Sequence, residues 1–106
     1  MEGARESALD VPAGHPAFEG HFPGRPILPG VVLLAEMMAL VRAEATGMAR
    51  EWRLESAKFA SPVAPGTRLT LLRRDEARGR VRFEIRAGER LVASGVLARL
   101  SVFAAT

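Results

Sequence analysis

The chain has 106 residues, 48% of them apolar and 25% charged, which fits one globular domain (1–106) with a single modest core. It contains no cysteine, so disulfides and thiolate chemistry are excluded and a reducing compartment is expected. The net charge of +3 is carried almost entirely by arginine, with Lys58 the single lysine. The arginines are scattered and lack interleaved aromatics for base stacking, which argues against nucleic acid. Two readings of the charge stay open: a solvated surface, or a basic face for an acidic partner. Residues 1–7 carry both signs of charge and lack the apolar core of a signal peptide. The longest apolar run, Val31 to Val41, contains Glu36 and is too short to span a bilayer. A cytoplasmic protein with no membrane contact is expected.

In chain order, residues 5–12 are short and partly apolar (Ala8, Leu9, Val11), and predict a first strand that stops at Pro12-Ala13-Gly14. Residues 13–30 form a Pro/Gly-rich segment holding His15 and His21, which excludes ordinary helix and central strand. From Val31 to Thr46 there is no proline and no β-type alternation, which predicts a helix with Gly47 as its C′ residue. That helix is apolar on nearly every face through its first three turns, the pattern of a buried helix whose C-terminal end emerges at Arg42 and Glu44. Met37 and Met38 are read as core packing.

Sheet is expected after Glu51. Trp52 to Ala60 and Arg68 to Arg74 are predicted strands, separated by Pro62-Val63-Ala64-Pro65-Gly66. Arg80 to Arg86 alternates with Val81, Phe83 and Ile85 on one face and charges on the other. Ala87-Gly88-Glu89 turns the chain into a long strand from Arg90 to Phe103. One buried helix with about five antiparallel strands is an α+β domain, the helix lying against one sheet face. Pairing of two copies through a sheet edge would cover an unprotected strand and enlarge a small core.

The segment Gly20-His21-Phe22-Pro23-Gly24-Arg25-Pro26-Ile27-Leu28-Pro29-Gly30 is rigid, bonds little with itself and ends where the helix begins. A helix N-terminus polarises a carbonyl and favours developing negative charge. Together with Phe18-Glu19 and Val31, this stretch resembles the signature of the β-hydroxyacyl-acyl carrier protein dehydratases of bacterial fatty-acid synthesis. Phe59-Ala60-Ser61-Pro62-Val63-Ala64-Pro65-Gly66-Thr67 is similar to that family's segment between two strands. The likeness runs from about Pro16 to Leu100 and is nearest to the small stand-alone dehydratase-like branch.

The resemblance implies a hotdog fold, an antiparallel sheet wrapped around one long helix, and a dimer or higher homo-oligomer. It implies a 3-hydroxyacyl thioester substrate, on acyl carrier protein or coenzyme A, dehydrated to the trans-2-enoyl thioester without cofactor or metal. Such a reaction needs a base for the Cα proton, an acid for the departing hydroxyl and polarisation of the thioester carbonyl. His21 is the candidate base, and the amide of Gly30 or of its neighbour at the helix start the candidate polarising group. Pro29 and Val31 flank that group; Phe22, Ile27, Leu28, Val32 and Leu33 are candidates to line an acyl tunnel. Arg25 faces two readings, a contact to phosphopantetheine phosphate or carrier protein, or simple solvation. His15 is read as structural or surface.

In the family the histidine and the acid come from different subunits, and the acid stands fourteen residues after the histidine. Here that position is Ala35, and the nearest carboxylate is Glu36, rotated by about 100° around the helix. Three placements of Glu36 stay open: shifted into the site as the acid, paired structurally or at a subunit interface, or exposed. The alternatives to an active dehydratase are a non-catalytic acyl-thioester-binding paralogue, a heterodimer partner that takes its carboxylate from another chain, or a hotdog thioesterase.

Overall fold

A computed structural model describes residues 4–12, 14–16, 27–45 and 51–100. The strands are β1 (Ala4–Leu9), β2 (Glu51–Phe59), β3 (Leu69–Asp75), β4 (Arg80–Ala87) and β5 (Arg90–Leu100), with the helix α1 (Gly30–Glu44) between β1 and β2. They form one antiparallel sheet in the order β1-β3-β4-β5-β2, the hotdog arrangement. Among the described residues no helix is long and apolar enough to cross a membrane.

Period-two patterning selects the inner face of the sheet. Val81, Phe83 and Ile85 of β4 are buried while Arg80 and Arg82 are exposed. Leu69 and Leu71 of β3 join them, with Val92 and Leu97 of β5. The helix rests on this face through Leu33, Met37 and Val41, which recur every four residues and so form one stripe. The expectation of burial on nearly every face is therefore met on one side of the single chain. The opposite face is apolar and open: Val31 is 75% exposed, and Ala35 and Ala39 are exposed beside it. A five-stranded sheet covers only the side of the helix it touches.

The predicted elements shift by a residue or two at their ends, except that β1 stops at Leu9. The helix ends at Glu44, with Ala45 extended; Thr46 and Gly47 lie outside the described residues, as do 101–103 of the long last strand. The Glu76–Gly79 link is a short 3-10 turn in which Arg78 and Gly79 both take positive φ (65° and 72°). At Gly95, opposite Phe83 in the β4–β5 register, an added Cβ would lie 2.8 Å from the Phe83 ring and collide with the Ser56 carbonyl. Glycine there lets the β2 strand approach where its register shifts between Leu54 and Ser56.

The helix is also fixed at its C-terminal end. Arg73, buried among the inner-face residues of β3, donates through Nη2 to Glu44 Oε1, which also accepts from Ser7 Oγ at 3.0 Å. Burial alone would raise the Glu44 carboxyl, but the hydrogen bonds from Arg73 and Ser7 and the charges of Arg73 and Arg5 outweigh it and hold it below the ordinary value of 4.5.

Two outcomes follow for stability. Gly95→Ala should destabilise the fold by about 1–3 kcal/mol in urea unfolding, since neither the ring nor the carbonyl can give way freely. Glu44→Gln should cost about 1–3 kcal/mol at neutral pH by weakening the hydrogen bonding of the buried Arg73. Because the folded-state pKa of Glu44 is depressed, its contribution is complete above the unfolded value and fades as pH falls through the folded one. The gap between wild type and Glu44→Gln should thus narrow below pH 4.5 in unfolding curves.

Candidate functional site

The helix start is shaped by Pro29, which occupies the cap with φ −60° and ψ 141° and has no N–H of its own to satisfy. Among the described residues no side chain caps this end. The Pro29 carbonyl accepts from Val32 N at 3.0 Å and Leu33 N at 3.1 Å, so the helical ladder begins there. The amides of Gly30 and Val31 precede it and have no hydrogen-bond partner among the described residues. Two N–H groups at the positive end of a fifteen-residue helix are thus left available to an oxygen acceptor.

These amides border an apolar groove of about 370 Å³ lined by Leu28, Gly30, Val31, Leu33, Phe59 and Val63, with Ser61 and Pro62 at its edge. Its far wall is held by backbone. Leu28 N donates to Val63 O at 2.9 Å, Ala60 N to Val92 O at 2.8 Å, and Ser61 Oγ to Leu91 O at 2.7 Å. Phe59 sits so close to the helix start that a Cβ on Gly30 would lie 2.6 Å from its Cζ. Glycine at position 30 therefore serves packing as well as leaving its amide accessible. Half exposed at the end of the edge strand β2, Phe59 is, with Ser61, Pro62 and Val63, a groove residue that sequence reasoning passed over.

Of the residues expected at the site, Gly30, Val31, Leu28 and Leu33 come together in this groove, and Pro29 sets its helix cap. Val32 packs against the core cluster and does not line the groove, and neither does the half-buried Ile27. His21, Phe22 and Arg25 lie outside the described residues. Ala35, where the resemblance led us to expect the acid, is on the open face of α1 with Val31 and Ala39.

Glu36 is on the flank of the helix. Its Oε1 is 3.1 Å from His15 Nε2, with the side chains 36% and 24% exposed respectively. Of the three placements left open, the structure adopts pairing, and the partner is His15 of the same chain. The structural reading of His15 is given a specific content: it holds the one carboxylate near the expected acid position. Nothing in the spacing of two residues 21 apart signals this contact.

Comparisons with known proteins agree with this architecture. The family model for ApeI-like proteins, described as ApeI dehydratase, matches residues 2–96. The 3-hydroxyacyl-[acyl-carrier-protein] dehydratase FabZ of Rhodospirillum rubrum is 36% identical over 89 residues, covering 72% of this chain and 56% of the relative. The FabZ of Thermus thermophilus is 41% identical over 70 residues, covering 58% and 49%. The chain thus spans about half the length of these curated relatives. Among solved structures, a chain of the dehydratase heterocomplex ApeI:P from Xenorhabdus doucetiae superposes with a TM-score of 0.71 at 28% identity, over 93% of this chain and 90% of that one. The dehydratase domain of PpsC from Mycobacterium tuberculosis, in complex with C12:1-CoA, gives 0.70 at 19% identity over 94% and 40%. The fluoroacetyl-CoA-specific thioesterase FlK gives 0.59 at 18% identity over 97% and 96%. The last two likenesses establish fold alone.

The close approach of Gly30 and Phe59 is open to test by a double-mutant cycle. Gly30→Ala should destabilise by about 1–3 kcal/mol, and most of that loss should vanish when Phe59→Ala is the background. Additive effects in thermal unfolding would mean that the ring does not press on the helix start.

Proposed function

We propose, from the premise that this chain belongs to the ApeI-like dehydratase family, that it binds a 3-hydroxyacyl thioester at the Gly30 groove and takes its general acid from a partner subunit. The observation that carries this reading is the placement of residues 35 and 36. The helix face left open presents Ala35, whereas Glu36 is turned to the flank and engaged by His15.

The chemistry divides accordingly. The thioester carbonyl accepts from the amides of Gly30 and Val31, and the acyl chain lies along Leu28, Leu33, Phe59 and Val63. His21, just upstream in the sequence, removes the Cα proton, and the electron pair moves into an enolate whose oxygen is held by the two amides and the helix dipole. Collapse of the enolate forms the C2–C3 double bond and breaks the C3–O bond, and the hydroxyl leaves as water once an acid has protonated it. Alanine has no proton to give. A carboxylate from another chain's helix, brought against the open Val31–Ala35–Ala39 face, completes the set.

Three features support a second subunit there. The open helix face is apolar, β2 is an edge strand with an unpaired ladder, and Phe59 at its end is half exposed beside both. The solved relative ApeI:P is itself a heterocomplex of dehydratase type. The carrier of the acyl group, acyl carrier protein or coenzyme A, is read from the same assay run on each. A homo-oligomer in which Glu36 leaves His15 and serves as the acid is the competing reading.

The test follows enoyl absorbance from a 3-hydroxyacyl thioester on each carrier. The chain alone should be inactive, and Ala35→Glu should raise the rate about 100-fold or more, the usual worth of a placed general acid. Adding His21→Ala should abolish the gain. Dehydration by the unaltered chain that Glu36→Gln abolishes would overturn the assignment in favour of Glu36, and release of free thiol without enoyl product would mark a thioesterase.

A further inference from the structure

Among the described residues the Gly30 groove has one aromatic wall, Phe59, and it stands against the helix start itself. The three heavy atoms nearest to a Cβ built on Gly30 all belong to the Phe59 ring, at 2.6, 2.8 and 3.1 Å. Side-chain bonds on a helix lean toward its N-terminus, the direction in which the first amides also point. The ring therefore flanks the space in front of the Gly30 N–H, with its Cζ within about 5 Å of the Gly30 nitrogen.

Phe59 is held there by the backbone around it. It pairs with Ala93, a fully buried residue of β5, so its side chain is on the inner face that the helix covers. Directly after it, Ala60 N and Ser61 N both donate to Val92 O, at 2.8 and 3.3 Å. Ser61 Oγ donates to Leu91 O at 2.7 Å, and Arg90 Nη1 to Pro62 O at 3.0 Å. Residues 60–62 are thus tied to the start of β5, and the strand end has little freedom to back away from the helix. Rotation of the side chain would clear the space only by turning a ring already 51% exposed further into water.

We propose, resting on the thioester reading of this groove, that Phe59 is a specificity-determining residue. Its ring bars a branch at C2, so the site takes 3-hydroxyacyl groups unsubstituted at that carbon. A carbonyl accepting from the Gly30 amide has its oxygen about 2.9 Å and its carbon about 4 Å from that nitrogen. Of the two groups on that carbon, C2 enters the apolar groove beside Leu28, Leu33 and Val63, and sulfur turns outward. C2 is then the first atom of the acyl chain to pass the ring. Carbon atoms pack at about 3.5–4.0 Å, so a CH2 slides by where a methyl branch meets the ring. Gly30 is the other half of the device, since a residue without Cβ lets the ring stand so near the amides.

Calorimetric titration of the full chain with two non-reactive pantetheine amides tests this. One carries an unbranched 3-hydroxyacyl group and the other its 2-methyl homologue, each C2 epimer taken separately. The unaltered chain should bind both epimers about 10–200-fold more weakly than the unbranched compound, the range one extra carbon is worth in a closely packed pocket. Phe59→Ala should weaken the unbranched compound and bring the two close to equal affinity. Phe59→Leu, which keeps an apolar wall and so safeguards the fold, should narrow the ratio in the same direction. Equal affinity of the unaltered chain for the two compounds, or a preference that both variants keep in full, would overturn the role of Phe59 and leave the groove a thioester site. Binding of neither compound would instead overturn the reading of the groove, and this inference with it.

Discussion

The structure depends on one constraint: a single fifteen-residue helix must bury an apolar stripe against a five-stranded sheet that reaches only one of its sides. Leu33, Met37 and Val41 meet that demand against Leu71, Phe83, Ile85 and Leu97. Their four-residue spacing sets the helix rotation, and rotation decides what every other helical residue faces. Met37 inward puts Ala35 outward and Glu36 on the flank. The catalytic question in this chain is therefore one of helix phase as much as of residue identity.

The two ends of the helix are treated differently, and chemistry follows from that difference. At the N-terminus Pro29 cannot donate, Gly30 admits the Phe59 ring, and among the described residues no side chain caps and two amides remain unspent against an apolar wall. At the C-terminus, Glu44 and Ser7 answer a buried arginine. The helix dipole suits both arrangements, oxygen acceptors at one end and a guanidinium at the other. The first is fitted to polarise a carbonyl; the second pins the helix to β1 and β3.

Much of this was legible in the chain. The alternation of Val81, Phe83 and Ile85 marks β4 and its inner face without ambiguity, and the change from Pro/Gly to an unbroken apolar run locates the helix start at Gly30 to within a residue. The long proline-glycine motif carried the fold and the family. What was not legible came from contacts between distant residues. His15 meets Glu36 only because the loop after β1 passes the helix flank. Arg73 reads as a surface residue in Leu-Thr-Leu-Leu-Arg-Arg-Asp, and it is buried because Glu44 is placed to accept from it. Phe59 belongs to the groove through the small volume of Gly30, which no period or spacing encodes. The helix was apolar all round, which suggested burial on all sides, whereas the single chain covers one side and leaves the other open.

The proposed dehydratase half-site would make ligand recognition separable from turnover. In that reading the carbonyl pocket, the acyl wall and the candidate base belong to this chain and the acid to a partner. Binding should survive in the absence of chemistry, and it should survive at the two amides that the helix leaves free. The most direct measurement is a nitrogen-15 amide NMR titration with a non-reactive 3-hydroxyacyl pantetheine amide, in which an amide replaces the thioester. Shifts centred on the Gly30 and Val31 amides, with broadening of Phe59, are the predicted result; shifts that bypass the helix N-terminus and gather elsewhere on the sheet would contradict it.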